Sequence, residues 1–155
     1  MEDRDIALRV EGVKFTLRAA ALIFDNDRLL MVKDREHDSC YTVGGRVRAG
    51  ESSADAAARE ALEETGCRFE AERLLFVQER FFRYRGNEHH EVAFYYLMRG
   101  NAAGIAEGRN TDRMNERLCW LAPEDLGRTR LVPEFLMESL RVLPDAPVHI
   151  ITRER

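Results

Sequence analysis

The sequence predicts one α+β domain over residues 1–155, built on a mostly antiparallel or mixed sheet. The length fits a single domain of common size. Two pairs of strand-like segments lie on either side of one amphipathic helical segment. The composition, with 45% hydrophobic and 34% charged residues, is that of a globular protein, and no apolar run is long enough to span a membrane.

The first half of the chain predicts a hairpin followed by a short strand. Residues 13–24 and 28–33 have strand character, and the polar turn at 25–27 would join them as hairpin partners. A short strand is expected over 40–43, and Gly44-Gly45 is expected to break it.

A helix is predicted over residues 53–65, with a signal at each end. Ser52 and Asp55 have the spacing of a capping box, and Gly66 can adopt the left-handed conformation that ends a helix. Small or apolar residues recur at the three- and four-residue spacing of an amphipathic helix: Ala54, Ala58, Ala61, Leu62 and Thr65.

The second half predicts another hairpin and a long loop. Strands are expected over 73–84 and 89–98 around a turn at 85–88, and residues 100–115 have no periodicity, as in loops that often carry function. Four further elements are expected: a strand at 117–121, a brief helical turn at Pro123, an amphipathic helix from Pro133 through FLMESLRVL, and a strand at 148–152.

The negative charge is concentrated in the predicted helix and the residues before it. Residues 51–64 hold five acids and one arginine, a local charge of −4 that equals the net charge of the whole chain. The other acids and bases cancel, which argues against a basic surface for nucleic acid. The concentrated carboxylates would attract cations.

Two interpretations of these carboxylates stay open on the helical pattern alone. As a solvated face they are tolerated, because exposed like charges at helical spacing cost only about 0.2–0.5 kcal/mol per pair. If the face is partly covered, two carboxylates about 6 Å apart in an effective dielectric of about 20 repel by about 3 kcal/mol. A divalent ion that prefers oxygen ligands, Mg²⁺ or Mn²⁺, would offset this repulsion. The residues concerned share one sector, roughly opposite Ala54, Ala58 and Ala61: Glu60, Glu63 and Glu64.

The order of residues around the helix resembles the Nudix box, G-x5-E-x7-R-E-U-x-E-E-x-G-U, where U is a bulky aliphatic residue. Gly45 is followed after five residues by Glu51, and after seven more by Arg59-Glu60-Ala61-Leu62-Glu63-Glu64-Thr65-Gly66-Cys67. Every polar and glycine position of this 23-residue pattern is met, while Ala61 and Cys67 are smaller than the usual aliphatic residues. A looser resemblance covers most of the chain.

This resemblance implies an α/β/α sandwich with a mixed sheet and a catalytic loop-helix-loop at 45–67. It also implies a pyrophosphohydrolase that cleaves a nucleoside diphosphate linked to another moiety, with Mg²⁺ or Mn²⁺ as cofactor, and it makes a homodimer unsurprising. The implied metal site consists of Glu60, Glu63 and Glu64, the Gly45 carbonyl and a supporting Glu51. Arg59 would orient a carboxylate, and Arg59 and Glu63 are the catalytic candidates within the box.

Family members commonly recruit one more acid from a distant loop as metal ligand or general base. Glu116, at the end of the long loop, is favoured, and Glu91 is the second choice. The other competitors are Glu79, Glu107 and Asp112. His89 and His90 could be ligands, but solvated histidines at a strand start are the favoured interpretation.

The segment Arg80-Phe81-Phe82-Arg83-Tyr84-Arg85 interleaves bases with aromatic residues. Such a surface could stack a base and hold phosphates, but a strand that alternates between core and solvent is favoured. Phe82 and Tyr84 are still expected to line a substrate pocket, and Arg46 is a third substrate-binding candidate.

Several alternatives remain open at this stage. The substrate could be a nucleoside triphosphate, a dinucleoside polyphosphate or another nucleotide derivative. ADP-ribose hydrolases of this family have a proline shortly after the box, and this chain has no proline between Cys67 and Pro123. A non-catalytic nucleotide-binding module and an isomerase of the same fold are the rival functions. The acidic N-terminus, Met1–Asp5, lacks a secretory pattern and predicts a cytoplasmic protein. The three cysteines are expected to be small buried residues.

Overall fold

A mixed ten-stranded sheet organises the fold in this computed structural model, which describes residues 4–106, 108, 111 and 115–154. The strands are β1 (Ala7–Val10), β2 (Val13–Leu22), β3 (Phe24–Asp25), β4 (Arg28–Asp34), β5 (Ser39–Arg46), β6 (Phe69–Tyr84), β7 (Asn87–Gly100), β8 (Glu116–Leu121), β9 (Arg130–Val132) and β10 (Val148–Arg153). The helices are α1 (Ser53–Thr65) and α2 (Leu136–Ser139), with 3₁₀ turns at Ala102–Gly104 and Pro123–Asp125. None of the described helices is long and apolar enough to cross a membrane.

The sheet order is β10-β6-β7-β2-β5-β4-β3, with β1 beside β2, β8 beside β4 and β9 beside β5. Three pairs are parallel, namely β10 with β6, β2 with β7, and β5 with β9. The others are antiparallel. The predicted mixed sheet is therefore confirmed.

Each face of the sheet carries its own apolar core, and β2 contributes to both. Because side chains alternate along a strand, Ala19 and Ala21 face α1, whereas Ala20 and Leu22 face α2. Burial of such side chains provides the main favourable term of folding, about 0.8 kcal/mol for each buried methylene. A helix on each face gives the expected α/β/α sandwich.

The first hairpin differs from the prediction. Strand β2 pairs with β5 and β7, and of the predicted strand 13–24 only the last residues, in the two-residue β3, pair with β4. Both edges of β2 are thus occupied by strands from elsewhere in the chain, which a local pattern cannot reveal. The second hairpin is confirmed and is longer than predicted, with its turn at Arg85-Gly86 in the left-handed region (φ 50° and 79°).

Two later predictions also need correction. The helix expected from Pro133 through FLMESLRVL is only the single turn α2, because Leu136 and Leu140 are buried while Val142 is 82% exposed, so a longer helix would bury no further apolar surface. Glu116 begins β8 and does not end a loop. The strand at 148–152 is confirmed within β10, and the turn at Pro123 is confirmed. Glu107 and Asp112 lie outside the described residues.

The cysteines follow the sequence expectation only in part. Cys40 is buried, whereas Cys67 and Cys119 are partly exposed, and all three are free thiols. The Cys40 and Cys119 sulfurs, which the sequence places far apart, lie 3.8 Å from each other. They approach because β5 and β8 both pair with β4.

Candidate active site

Helix α1 begins and ends where the sequence predicts. The Ser52 hydroxyl accepts a hydrogen bond from the Asp55 N–H (3.0 Å), and left-handed Gly66 (φ 75°) donates its N–H to the Leu62 carbonyl (2.8 Å). A 2.6 Å hydrogen bond between the Ser53 and Tyr96 hydroxyls joins the first turn to β7. These contacts fix the position of the helix along the sheet.

The rotation of α1 differs from the prediction. Ala56, Ala57 and Ala61 are buried, whereas Ala54 and Ala58 are only partly buried. The 100° step per residue places Glu60 and Glu64 within the arc between Ala56 and Ala57, on the sheet side of the helix. Two of the three box carboxylates therefore lie on the covered face, and Glu63 lies at its rim with a side chain that is 44% exposed.

The two glycines of β5 make room for these carboxylates. The strand does not break at Gly44-Gly45 as predicted but continues to Arg46. A Cβ on Gly45 would lie 2.3 Å from Glu60 Oε1, and one on Gly44 would lie 2.4 Å from the Ala19 carbonyl oxygen. The Gly44 N–H donates a hydrogen bond to Glu64 Oε2 (3.1 Å). Any larger residue would displace Glu60 or separate the strands.

Arg59 connects the acidic residues of the box. Its guanidinium binds both Glu51 oxygens (2.7 and 2.9 Å), Glu60 Oε1 (2.9 Å) and, more weakly, Glu63 Oε1 (3.4 Å). It also donates to the Arg46 carbonyl (3.0 Å). Hydrogen bonds from Arg59 hold the pKa of Glu51 below its usual value, and those bonds raise the pKa of Arg59 further. The fork geometry fixes two carboxylates relative to one another.

Negative charge remains in excess after this pairing. Three carboxylates, those of Glu51, Glu60 and Glu63, pair with one guanidinium, and among the described residues Arg48 adds a second positive charge 3.8 Å from Glu63. The donors are all oxygen atoms, and hard divalent cations prefer such a set. At Gly45 the strand backbone packs directly against the Glu60 carboxylate, where even a methyl group would collide.

Of the acids predicted outside the box, Glu91 and Glu116 line the same cleft as Glu64, whereas Glu79 is not among the lining residues. Glu79 pairs with His149 (2.7 Å), and Glu91 is buried beside the Thr16 hydroxyl (3.4 Å) and Arg18 (3.9 Å). Glu116 on β8 lies opposite Asp34 on β4, and Asp34 lies opposite Ser39 on β5. Ser39 is five positions from Gly44, about 16 Å along an extended strand.

A cleft of about 590 Å³ runs past the box and contains the substrate-binding candidates Arg46, Phe82 and Tyr84, together with Glu64. Phe82 stacks on His89 (4.7 Å between ring centroids), and the Arg80 guanidinium lies 4.0 Å from the Phe82 ring centroid. The expectation of solvated histidines is thus wrong, since His89 packs on Phe82 and His90 packs on Phe81 (4.4 Å).

The sequence analysis missed several residues of this cleft, namely Arg18, Asp34, His37, Ser39 and Tyr41. Arg18 lies on β2, whereas the other four lie within eight consecutive residues at the end of β4, in the following turn and at the start of β5. Their place beside the box depends on the pairing of β2 with β5, which the sequence pattern does not reveal. The missed ion pair between Asp5 and Arg46 (3.8 Å) depends in the same way on a distant segment that runs beside the box.

Solved structures support the fold. The mMutator MutT protein from Bacillus halodurans superposes with a TM-score of 0.66 at 16% identity, covering 89% of each chain. An ADP-ribose pyrophosphatase from Streptococcus suis gives 0.51 at 18% identity over 88% of this chain and 98% of its own. A UDP-X diphosphatase gives 0.57 at 18% identity over 87% and 66%. No curated protein matches this chain in sequence.

The family model of the NUDIX domain matches residues 14–143, which include the complete box, α1 and the sheet that supports it. The match covers most of the chain, and the box geometry described above lies within it. This chain belongs to the Nudix family of hydrolases.

Proposed function

We propose that this protein is a divalent-metal-dependent pyrophosphohydrolase that cleaves a nucleoside diphosphate linked to another moiety. The observation that carries the proposal is the cluster of box carboxylates around one guanidinium, with Glu60 and Glu64 on the sheet side of α1 over two glycines that admit nothing larger. Covered carboxylates in excess of their cations are costly unless a cation joins them. A purely structural helix would have no reason to keep them.

The proposed metal ligands are Glu60, Glu63, Glu64 and the Gly45 carbonyl. Their oxygen chemistry fits Mg²⁺ or Mn²⁺. When bound, the metal would neutralise phosphate oxygens and lower the pKa of a coordinated water. Glu51 is proposed as a supporting residue, because both of its oxygens already accept hydrogen bonds from Arg59.

The chain's own side chains have distinct proposed roles. Arg59 positions Glu60 through a 2.9 Å hydrogen bond, so that this carboxylate does not have to be ordered when substrate binds. Glu63, the most exposed of the three box acids of α1, can take up a proton from an attacking water. Glu116 and Glu91 line the same cleft as Glu64, and their roles as a base outside the box stay predictions.

The cleft supports a nucleotide as the substrate. Arg46 offers a positive charge near Glu64, and the aromatic side chains of Phe82 and Tyr84 offer surfaces on which a base can stack. Two neighbours of the same fold are named for ADP-ribose and UDP-X, both nucleoside diphosphates with a further moiety. The homodimer and the cytoplasmic location stay predictions.

The test is a panel of nucleoside triphosphates, dinucleoside polyphosphates and nucleotide sugars, incubated with Mg²⁺ and scored for phosphate or pyrophosphate release after phosphatase coupling. We expect hydrolysis of at least one compound by the natural protein and almost none by Glu64→Gln. Tight nucleotide binding without hydrolysis would favour the non-catalytic module. Rearrangement of the substrate without release of phosphate or pyrophosphate would favour the isomerase.

A further inference from the structure

A row of polar side chains crosses four strands at the end of the cleft remote from the box. The row is defined by Glu116 on β8, Asp34 on β4, Ser39 on β5 and Arg130 on β9. Each residue is the direct register partner of the next. Paired residues on neighbouring strands project to the same face of a sheet, and all four line the cleft.

Ser39 is the unusual member of the row. It is 1% exposed, and among the described residues its hydroxyl oxygen has no hydrogen-bond partner. Buried hydroxyl groups almost always have a partner, so an unpaired one in the wall of a cleft points to a group that enters the cleft.

Asp34 gives the row its chemical character. Its carboxylate accepts hydrogen bonds from the Glu36 N–H (2.9 Å) and from His37 (2.7 Å), and the His37 bond holds the pKa of Asp34 below its usual value. Together with Glu116 it offers carboxylate oxygens, which accept hydrogen bonds and repel phosphate. The matching ligand group carries N–H or O–H donors.

The distance between the row and the box agrees with one extended ligand. Ser39 and Gly44 are five residues apart on β5, about 16 Å, which is of the order of the length of a nucleoside diphosphate. The phosphates would lie near Glu64, which projects from α1 on the same face of the sheet as the row, and the uncharged end would lie at the row.

From this arrangement we infer that the row is a specificity site for the uncharged end of the substrate. Asp34 would accept hydrogen bonds from an amino-bearing base or a hydroxyl-bearing sugar, and the Ser39 hydroxyl would accept or donate one. This inference rests on the proposed function for the identity of the ligand, but its readout can be separated from catalysis. Ser39 is a specificity-determining residue in this scheme and takes no part in bond cleavage.

The experiment compares substrates that differ by a single donor group. GTP is paired with ITP, and ATP with purine riboside triphosphate, to test the base. UDP-glucose is paired with UDP-2-deoxyglucose to test the sugar. Each pair is measured with the natural protein, with Ser39→Ala, and with Ser139→Ala, a control serine of α2 outside the cleft.

Either for the pairs that differ in the base or for the pair that differs in the sugar, we expect the natural protein to prefer the donor-bearing member by about tenfold in kcat/KM, mainly through KM. Ser39→Ala should reduce this preference to about twofold or less, whereas Ser139→Ala should keep it. A base preference or a sugar preference identifies the source of the donor. An unchanged preference in Ser39→Ala, or an equal loss for both members of a pair, would overturn the inference.

Two further measurements separate failure of this inference from failure of the proposed function. Calorimetric binding of the same pairs to the Glu64→Gln variant reports the preference without turnover. If binding discriminates and depends on Ser39 while the natural protein hydrolyses none of the compounds, the row is supported and the hydrolase is not. If neither binding nor hydrolysis discriminates, the row has no such role. The melting temperature of Ser39→Ala should not fall, because the substitution removes an unpaired group; a clear fall would indicate a structural hydroxyl instead.

Discussion

Two arginines with similarly covered side chains show how differently an ion pair can be used in this molecule. Arg59 is 18% exposed and binds three carboxylates around α1. Arg80 on β6 is 14% exposed and pairs with one carboxylate, Glu154, while its guanidinium stacks on Phe82. Burial is the largest single influence and lowers the pKa of Arg80, but the hydrogen bonds and charge of Glu154 together with the charge of Glu91 raise it overall.

The difference lies in the balance of charge. Around Arg80 the charges pair off, because Glu154 neutralises Arg80 and nearby Glu91 lies beside Arg18. Around Arg59 three carboxylates share one guanidinium. Balanced pairs join one strand to another, whereas the role we propose for the acidic cluster is to bind a cation from solution. The substitutions below test this distinction.

The largest effect is expected from Glu64→Gln. This change removes one anionic oxygen ligand but keeps an amide oxygen that can accept the Gly44 N–H, so the fold should be retained. Turnover should fall at least about a hundredfold. Steady-state rates on the best substrate, with circular dichroism as the folding control, provide the check. Near-normal turnover at saturating Mg²⁺ would contradict the metal assignment.

Metal binding should also raise the free energy of unfolding and the melting temperature. Mg²⁺ at about 100 times its Kd should stabilise the folded protein by about 2.7 kcal/mol, a rise in melting temperature of about 5–10 °C for a domain of this size. In Glu64→Gln the apo protein should melt no lower than the natural protein, because one repelling charge is gone, but its Mg²⁺-induced rise should shrink. Calorimetry with and without Mg²⁺ measures both. An equal rise in the two proteins would mean that the excess carboxylates hold no metal.

The two arginines can be exchanged for methionine as a matched pair. Arg80→Met should lower the free energy of unfolding by about 2 kcal/mol, since it leaves Glu154 without its partner, and should leave kcat within about threefold. Arg59→Met should lower kcat by about 10- to 100-fold, because Glu60 loses the group that positions it. Urea unfolding and saturation kinetics on both variants give the comparison. The opposite pattern would assign Arg59 to structure and Arg80 to function.

The sequence was informative where the chemistry depends on neighbours along the chain. The bounds of α1, its caps at Ser52 and Gly66, and the second hairpin could all be predicted because capping, periodicity and turn formation are local. The partners of β2 and the length of α2 could not, because they depend on which strand edges are free and on how much apolar surface a further turn would bury.

The site divides in the same way. The order of the box residues could be read from spacing, but the rotation of α1 could not, since alanines lie on several sides of the helix and only packing selects Ala56 and Ala57. The place of Glu116 required the register of β4 and β8. Ser39 gave no sequence signal at all, because an unpaired hydroxyl is a property of its surroundings.

The smallest expected effect concerns pH and separates Glu51 from the other box acids. Hydrogen bonds from Arg59 lower the pKa of Glu51 in the folded protein, so folding favours its ionised form. This contribution is fully present above the pKa of the unfolded chain and is lost as the pH falls through the lower folded value. The free energy of unfolding should therefore fall between about pH 7 and about pH 3, and it should fall less in Glu51→Gln, which has no such proton to bind. Glu72→Gln, at an exposed position of β6, controls for the loss of one carboxylate and should keep the natural slope. Urea unfolding of the three proteins at both pH values measures the slopes. If Glu51→Gln and the natural protein lose stability in parallel, the bond between Glu51 and Arg59 does not stabilise the folded state, and Arg59 is held mainly by Glu60 and the Arg46 carbonyl.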